Sequence, residues 1–168
     1  MVLTKSELVS ALQNEVRILL HLAGKIDRAQ LDYRPTPNQR STIELLKYLS
    51  MMGPTFIRYI TATTSDPAMW NEATKAAAAR DFDQTVAAIA SQADEYAALL
   101  AQMSDADLRA EVTGFDGQPI SRGAFLVNLV LCGCAAYRTQ LFLDLKACGR
   151  EELNTMNLWA GADAPAAV

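Results

Sequence analysis

The sequence is poor in histidine and cysteine, the side chains that most often bind transition metals. Among 168 residues there is one histidine, His21, and there are three cysteines, Cys132, Cys134 and Cys148. An odd number of cysteines, two of them in an apolar stretch, argues against the disulfide framework of a secreted protein. Cys132 and Cys134 also diverge on a helix and cannot chelate one ion together. We expect buried, reduced cysteines and a cytoplasmic protein.

Basic charge and aromatic side chains are scarce as well. The chain has 15 Lys and Arg against 19 Asp and Glu, a formal net charge of −4, and 7% aromatic residues. This composition argues against the basic, aromatic-rich face of a nucleic-acid-binding protein. The longest charge-free apolar stretch, Gly123 to Tyr137, is too short to cross a bilayer, and Lys5 and Glu7 interrupt a signal-peptide pattern. We therefore expect neither a nucleic-acid partner nor a membrane partner.

The pattern of apolar residues is that of an all-α protein. Glycine and proline are few and clustered, and apolar residues recur with a period near 3.6. Pro54 predicts a kink or an early stop in the second helix, and Trp70 is expected to plug one end of the core from a short helix or loop beginning near Ser65. Four long helices are predicted, over about Lys5 to Arg28, Ser41 to Thr61, Phe82 to Met103 and Ser121 to Cys148.

The length predicts a single domain spanning residues 1–168, with a frayed tail over about 160–168. Asp116-Gly117 predicts a small hairpin or irregular chain between the third and fourth helices. With one or two long crossovers, the four helices form a four-helix bundle.

Two features outside the core invite a functional interpretation. His21 could act as a general base, but it shares a helix face with Arg17 and Lys25, which predicts a solvated position. Arg34 and Arg40 could hold an anion at the start of the second helix, or be ordinary surface charge. The sequence contains neither a glycine-rich phosphate loop nor a Gly-x-Ser-x-Gly nucleophile motif.

Two segments resemble a known family. Residues 31–37 (LDYRPTP) and 40–49 (RSTIELLKYL) are similar to the segment that leads into the second helix of the DinB-like superfamily of bacterial four-helix proteins. Residues 137–141 (YRTQL) are similar to the His-Arg-Gly-Gln-Leu run in that family's last helix. The resemblance extends over nearly the whole chain, and it implies a DinB-like four-helix bundle with long crossover connections.

The resemblance also implies three metal-binding positions. In the family a divalent metal is held by one histidine from the second helix and two histidines four residues apart on the last helix. The corresponding residues here are Tyr48, Gly133 and Tyr137, none of which is histidine. Glycine has no side-chain ligand, and a phenol must lose its proton to bind a metal well. We therefore expect the family's scaffold without its metal and without another cofactor.

The same positions predict a polar cluster inside the bundle. Gly133, Tyr137, Gln140 and Asp144 share one helix face at spacings of four, three and four residues. If this face meets Tyr48, two outcomes are open. The polar groups could form a hydrogen-bond network that fills the bundle, or they could line a small-ligand pocket in which Gly133 leaves room.

These observations favour a non-enzymatic DinB-like protein that binds a small ligand or a partner, with a homodimer formed through helix faces. A link to stress or the DNA-damage response follows only from the family's damage-inducible label. The alternative is a thiol-dependent transferase or isomerase in which Tyr48, Tyr137 and Gln140 replace metal-bound histidines. A third hypothesis, contact with DNA, is disfavoured by the acidic composition.

Overall fold

A computed structural model describes residues 3–62, 66 and 68–165 of the chain. The predicted loop residues Ser65 and Pro67 lie outside the described residues. The elements in chain order are α1 Lys5–Ala23, a 3-10 turn Arg28–Gln30, α2 Thr42–Thr61, α3 Ala68–Ala78, α4 Phe82–Leu100, α5 Asp105–Arg109, β1 Glu111–Thr113, β2 Pro119–Ser121, α6 Arg122–Leu126, a π-helical segment Val127–Leu131, α7 Cys132–Ala147 and a second π-helical segment Met156–Ala160.

Four long helices pack around one hydrophobic core, which confirms the predicted all-α bundle. α1 and α2 both pack along α4, and the continuous helix of α6, the first π segment and α7 closes the bundle against α1 and α2. One crossover, from α2 to α4, contains α3, and the other contains α5 and the hairpin. The core is aliphatic, and its fully buried members include Leu12, Leu22, Leu45, Leu46, Ile57, Ile89, Leu100, Leu126, Val130 and Leu141.

Capping boxes set the starts of the helices. Thr4 and Glu7 cap α1, and Ser41 and Glu44 cap α2, each pair bonding reciprocally between side chain and backbone. α1 ends at Ala23 instead of reaching the predicted Arg28. The reason is local, because Asp27 accepts a hydrogen bond from the Ala29 amide and begins a separate 3-10 turn.

Pro54 does not stop α2, which continues to Thr61. Proline has no amide hydrogen, so the carbonyl of Ser50 loses its usual helical donor. Arg80 Nη1 donates to that carbonyl at 3.3 Å and to Ser50 Oγ at 2.6 Å. The preceding carbonyl, that of Leu49, accepts from Gln92 Nε2 at 2.8 Å. Side chains from α4 and the turn before it therefore satisfy the interrupted part of α2.

The last long helix buries two charged residues and exposes a large apolar one. Arg138 and Asp144 are each 3% exposed, whereas Leu143 is 58% exposed. Within the described residues, Arg122–Ala147 is the one helix long and apolar enough to cross a membrane by length and composition, a test that core helices of soluble proteins also pass. The buried side of this helix consequently cannot be found from apolar spacing alone.

The predicted hairpin is present between α5 and α6. Val112 pairs with Ile120 in an antiparallel register, and Gly117 at the turn has φ 76°, which favours glycine. Phe115 near the tip contacts Phe125 with ring centroids 5.2 Å apart. The hairpin therefore packs against α6, the first part of the last long helix.

The C-terminal segment is docked where fraying was predicted. Arg17 Nη1 donates to the Ala160 carbonyl at 2.8 Å, and Lys25 Nζ donates to an Asp163 carboxylate oxygen at 2.7 Å. Residues 166–168 of the predicted tail lie outside the described residues. The sequence pattern placed Arg17 and Lys25 on a polar face, but it did not show that the chain returns to cover that face.

His21 is covered by this returning segment, so the predicted solvated position is wrong. The side chain of His21 is 16% exposed, and its Nε2 lies 3.0 Å from Nδ2 of the buried Asn157. Burial and the neighbouring Lys25 lower the pKa of His21. The hydrogen bond with the buried Asn157 gives His21 a structural role in holding the returning segment.

Candidate functional site

Tyr48 and Tyr137 meet inside the bundle. Tyr48 lies on α2 and Tyr137 on α7, and their ring centroids are 5.1 Å apart with an interplanar angle of 70°. This edge-to-face contact is a favourable geometry for aromatic pairs. The second and last helices thus bring together two of the three positions at which the sequence resemblance implies metal ligands.

The third position, Gly133, is covered by a methionine. A Cβ placed on Gly133 would lie 3.4 Å from Met52 Cε and 3.5 Å from Met52 Sδ, so the thioether occupies the adjoining space. In the described part of the chain, no group of three or more His, Cys, Asp or Glu side chains is placed to hold a metal ion. Two phenol rings and a thioether do not fit the family's divalent metal.

Burial and the neighbouring Tyr137 raise the pKa of Tyr48 to about 12, and the nearby Arg40 opposes this shift. The phenol of Tyr48 is consequently protonated at neutral pH. It can donate a hydrogen bond, but it cannot act as a phenolate ligand or base there.

A cavity of about 350 Å³ opens on the side of Tyr48 toward α3. Trp70 of α3 forms another part of its wall, with its ring centroid 6.3 Å from that of Tyr48. The cavity is lined by Arg40, Glu44, Lys47, Tyr48, Met51, Trp70, Thr74, Ala77 and Ala78. Sequence reasoning identified Tyr48 but missed the cavity, because its far wall depends on how α3 packs against α2.

The two arginines before α2 have different surroundings. Arg34 makes two hydrogen bonds to the Glu44 carboxylate, at 2.7 and 2.6 Å, and this pairing lowers the pKa of Glu44. Arg40 instead lies over the ring of Tyr48, 4.1 Å from the ring centroid, at the mouth of the cavity. Lys47 donates to the Ala78 carbonyl at 2.9 Å across the same mouth.

Gln140 and Asp144 lie farther along α7, and neither lines the cavity beside Tyr48. Burial raises the pKa of Asp144 to about 6, and a hydrogen bond from Gln140 opposes the shift. The Oδ2 atom of Asp144 is buried without a hydrogen-bond partner. The predicted polar stripe therefore has two parts, an aromatic contact at Tyr137 and a buried carboxyl at Asp144.

Replacing Asp144 with asparagine is expected to stabilise the protein at neutral pH. The carboxyl of Asp144 has a pKa of about 6 in the folded protein against an ordinary value of 3.8, so it binds its proton more tightly in the folded state and stability falls as pH rises through this window. Asparagine removes that penalty, and we expect a gain of about 1 kcal/mol at pH 7 and none at pH 4. Urea unfolding of both proteins at the two pH values measures the difference.

Asp163→Asn is the matched control, because the Lys25 ion pair lowers the pKa of Asp163 and the expected sign is opposite. An equal gain for Asp144→Asn at both pH values would contradict the assignment.

A second buried polar group lies deeper in the bundle, on the face of α4 that the apolar spacing predicts to be buried. Tyr96 is fully buried, and its hydroxyl donates to Gln92 Oε1 at 3.0 Å. Cys134 lies beside Tyr96, and burial raises the pKa of its thiol to about 12, as expected for an unreactive core cysteine. Cys132, two residues earlier, is exposed, so the two thiols diverge as predicted, but the expectation of a buried side chain is wrong for Cys132.

Arg138 of α7 is a buried charged residue that faces α1. Its Nε lies 3.4 Å from Oε2 of Glu15 on α1, and its guanidinium lies 5.3 Å from the ring centroid of Trp159. Burial raises the pKa of Glu15, and Arg138 partly opposes that shift. The available signal in the sequence was an arginine directly after the charge-free stretch Gly123 to Tyr137, where a buried arginine would need a partner on another element.

The bundle, its two crossovers and the meeting of the second and last helices define a DinB-like fold. A crystal structure of the DinB-like protein YjoA from Bacillus subtilis matches this chain with a TM-score of 0.67 and 20% identity, covering 88% of this chain and 94% of that one. Residues 11–130 match the DinB superfamily, so the chain belongs to that superfamily. That match includes Tyr48 and ends before Gly133 and Tyr137. Comparison with curated proteins gives no match.

Proposed function

We propose that this protein is a metal-independent member of the superfamily that binds a small molecule in the cavity beside Tyr48. The observation that carries the proposal is the position of the Tyr48 ring. One side of the ring contacts Tyr137, where the family's metal ligands would converge, and the ring also lines the cavity. The place of the implied metal site is thus filled by the two tyrosine rings, and the cavity lies next to it, on the side of Tyr48 toward α3.

The alternative from the sequence, a thiol-dependent transferase, would use Tyr48 as a proton donor. The raised pKa of Tyr48 is compatible with that role, since it keeps the phenol protonated. The buried Cys134 thiol lies against Tyr96 and is not part of the cavity. We favour binding, because the uncharged donors of the cavity wall are the side chains of Tyr48, Trp70 and Thr74, and the residues that line it include neither cysteine nor histidine.

Elemental analysis and ligand-induced thermal shifts test the proposal. We expect purified protein to contain far less than one transition metal per chain and to be stabilised by at least one compound in a panel of benzoate, benzamide and phenol. Ala78 lines the cavity and is exposed, so Ala78→Trp is expected to block it and abolish the shift. Ala76→Trp is the control, at an exposed position on α3 outside the cavity lining.

A stoichiometric metal, or thermal shifts that persist in Ala78→Trp, would contradict metal-independent binding at this cavity. The absence of any shift across the panel would also contradict it. Turnover of a low-molecular-weight thiol that requires Tyr48 would assign the transferase alternative instead.

A further inference from the structure

We infer that the ligand of the Tyr48 cavity is a small planar aromatic carboxylate. The inference rests on the proposed function, and it adds the chemical class of the ligand. Three properties of the cavity lead to it, namely its volume, the shape and chemistry of its walls, and the charge at its mouth.

The volume limits the ligand to a small one. At about 350 Å³ the cavity lies near the lower end of the range for small-molecule sites. A compound with one aromatic ring and a short polar substituent fits this volume, whereas a dinucleotide does not.

The walls favour a flat apolar ring. Tyr48 and Trp70 are in contact, with ring centroids 6.3 Å apart and planes inclined at 60°, so they form two adjoining aromatic walls of the cavity. Met51 adds a thioether to the lining, and thioethers make favourable contacts with aromatic rings. Phe56 contacts Trp70 from behind, at 4.9 Å between ring centroids, and supports its orientation. An aromatic ring can therefore contact two aromatic side chains and a sulfur atom at once.

The mouth favours a single negative charge. Arg40 lies over the Tyr48 ring, and the Lys47 ammonium donates to a neutral backbone carbonyl, so neither of these contacts is to a carboxylate. Glu44 is the acidic residue of the lining, and its carboxylate accepts two hydrogen bonds from Arg34 and one from the Ser41 amide. The charge of Glu44 is thereby compensated, which leaves the mouth cationic.

The two cations suit a carboxylate attached to a ring. A guanidinium binds a carboxylate through two parallel hydrogen bonds. The ammonium of Lys47 has three N–H groups, and those not bonded to the Ala78 carbonyl can donate further hydrogen bonds. With the ring against the adjoining walls formed by Tyr48 and Trp70, a carboxylate directed to the mouth would meet Arg40 and Lys47. The uncharged amide of the same shape would lose this ionic interaction and keep the ring contacts.

Isothermal titration of the full chain with benzoate and with benzamide tests the ligand class, because the two probes have nearly the same shape. We expect benzoate to bind about tenfold more tightly than benzamide. Arg40→Gln and Lys47→Gln are each expected to weaken benzoate binding about fivefold and to leave benzamide unchanged. Arg58→Gln is the matched control. Arg58 lies on α2, as Lys47 does, but it forms an exposed ion pair with Glu95 and does not line the cavity.

The outcomes separate the two proposals. Equal affinity for benzoate and benzamide, with both lost in Ala78→Trp, would overturn the carboxylate assignment and leave the binding function intact. Loss of benzoate binding in Arg58→Gln to the same extent as in Arg40→Gln would also overturn it, because the effect would then reflect overall charge. Binding of phenol alone would overturn only the carboxylate assignment, whereas failure of benzoate, benzamide and phenol alike would overturn both proposals.

Discussion

Gly53→Ala is expected to lower the free energy of unfolding by about 3 kcal/mol, the cost of overpacking a rigid core site. Gly53 faces α4, and a Cβ at this position would lie 2.1 Å from the Tyr96 hydroxyl oxygen and 2.9 Å from ring carbon Cζ. Tyr96 is fully buried and hydrogen-bonded to Gln92, so the ring cannot move without breaking that contact. Urea denaturation of the variant and the parent protein measures the loss.

Two further variants isolate the cause. Gly133→Ala makes the same change inside another helix, where the new Cβ meets only the flexible end of Met52 at 3.4 Å, and the helix preference of alanine should make this variant neutral or slightly more stable. In a Tyr96→Phe background the hydroxyl is gone, so the additional cost of Gly53→Ala should be smaller. A Gly53→Ala protein as stable as the parent would show that α2 and α4 can separate freely.

Arg138→Met is expected to cost about 3 kcal/mol, because it leaves the Glu15 carboxylate buried without its counter-charge. The two side chains are 4% and 12% exposed, so water cannot replace the lost interaction. Without Arg138 the pKa of Glu15 should rise further. A raised folded-state pKa means that stability falls as pH rises through it, so the variant should lose less stability at pH 5 than at pH 8.

The double variant Glu15→Gln/Arg138→Met should recover part of the loss, since it removes both charges. Arg58→Met breaks the exposed pair with Glu95 and should change stability by less than about 1 kcal/mol. Chemical denaturation at the two pH values, followed by circular dichroism, measures these differences. A pH-independent loss equal in the single and double variants would assign Arg138 a packing role only.

The sequence predicts the helices well where burial follows apolar spacing. Leu8, Leu12, Val16 and Leu19 of α1 lie in the core as their spacing predicts. The last helix departs from this rule, because the burial of Arg138 depends on Glu15, a partner more than a hundred positions away in the chain. Spacing on one helix carries no information about such a partner.

The candidate site also combines features that the sequence predicts with features that depend on tertiary packing. The contact of Tyr48 with Tyr137 follows from the family's arrangement of helices. The cavity depends on the position of Trp70, which is set by the packing of α3 on α2 and not by any pattern around residue 70. Arg34 and Arg40 look equivalent in the sequence, and only their tertiary surroundings show that one is paired with Glu44 and the other faces the cavity.

The interruption of α2 at Pro54 also bears on the order in which the protein folds. The Ser50 carbonyl has no amide donor from residue 54, and both it and the Leu49 carbonyl accept hydrogen bonds from side chains that follow α3 in the chain. An isolated α2 would leave the Ser50 carbonyl to water, so the middle of this helix gains little stability before α4 docks. Completion of α2 and its pairing with α4 should therefore be a single kinetic event, with the two halves of the helix joined by its neighbour.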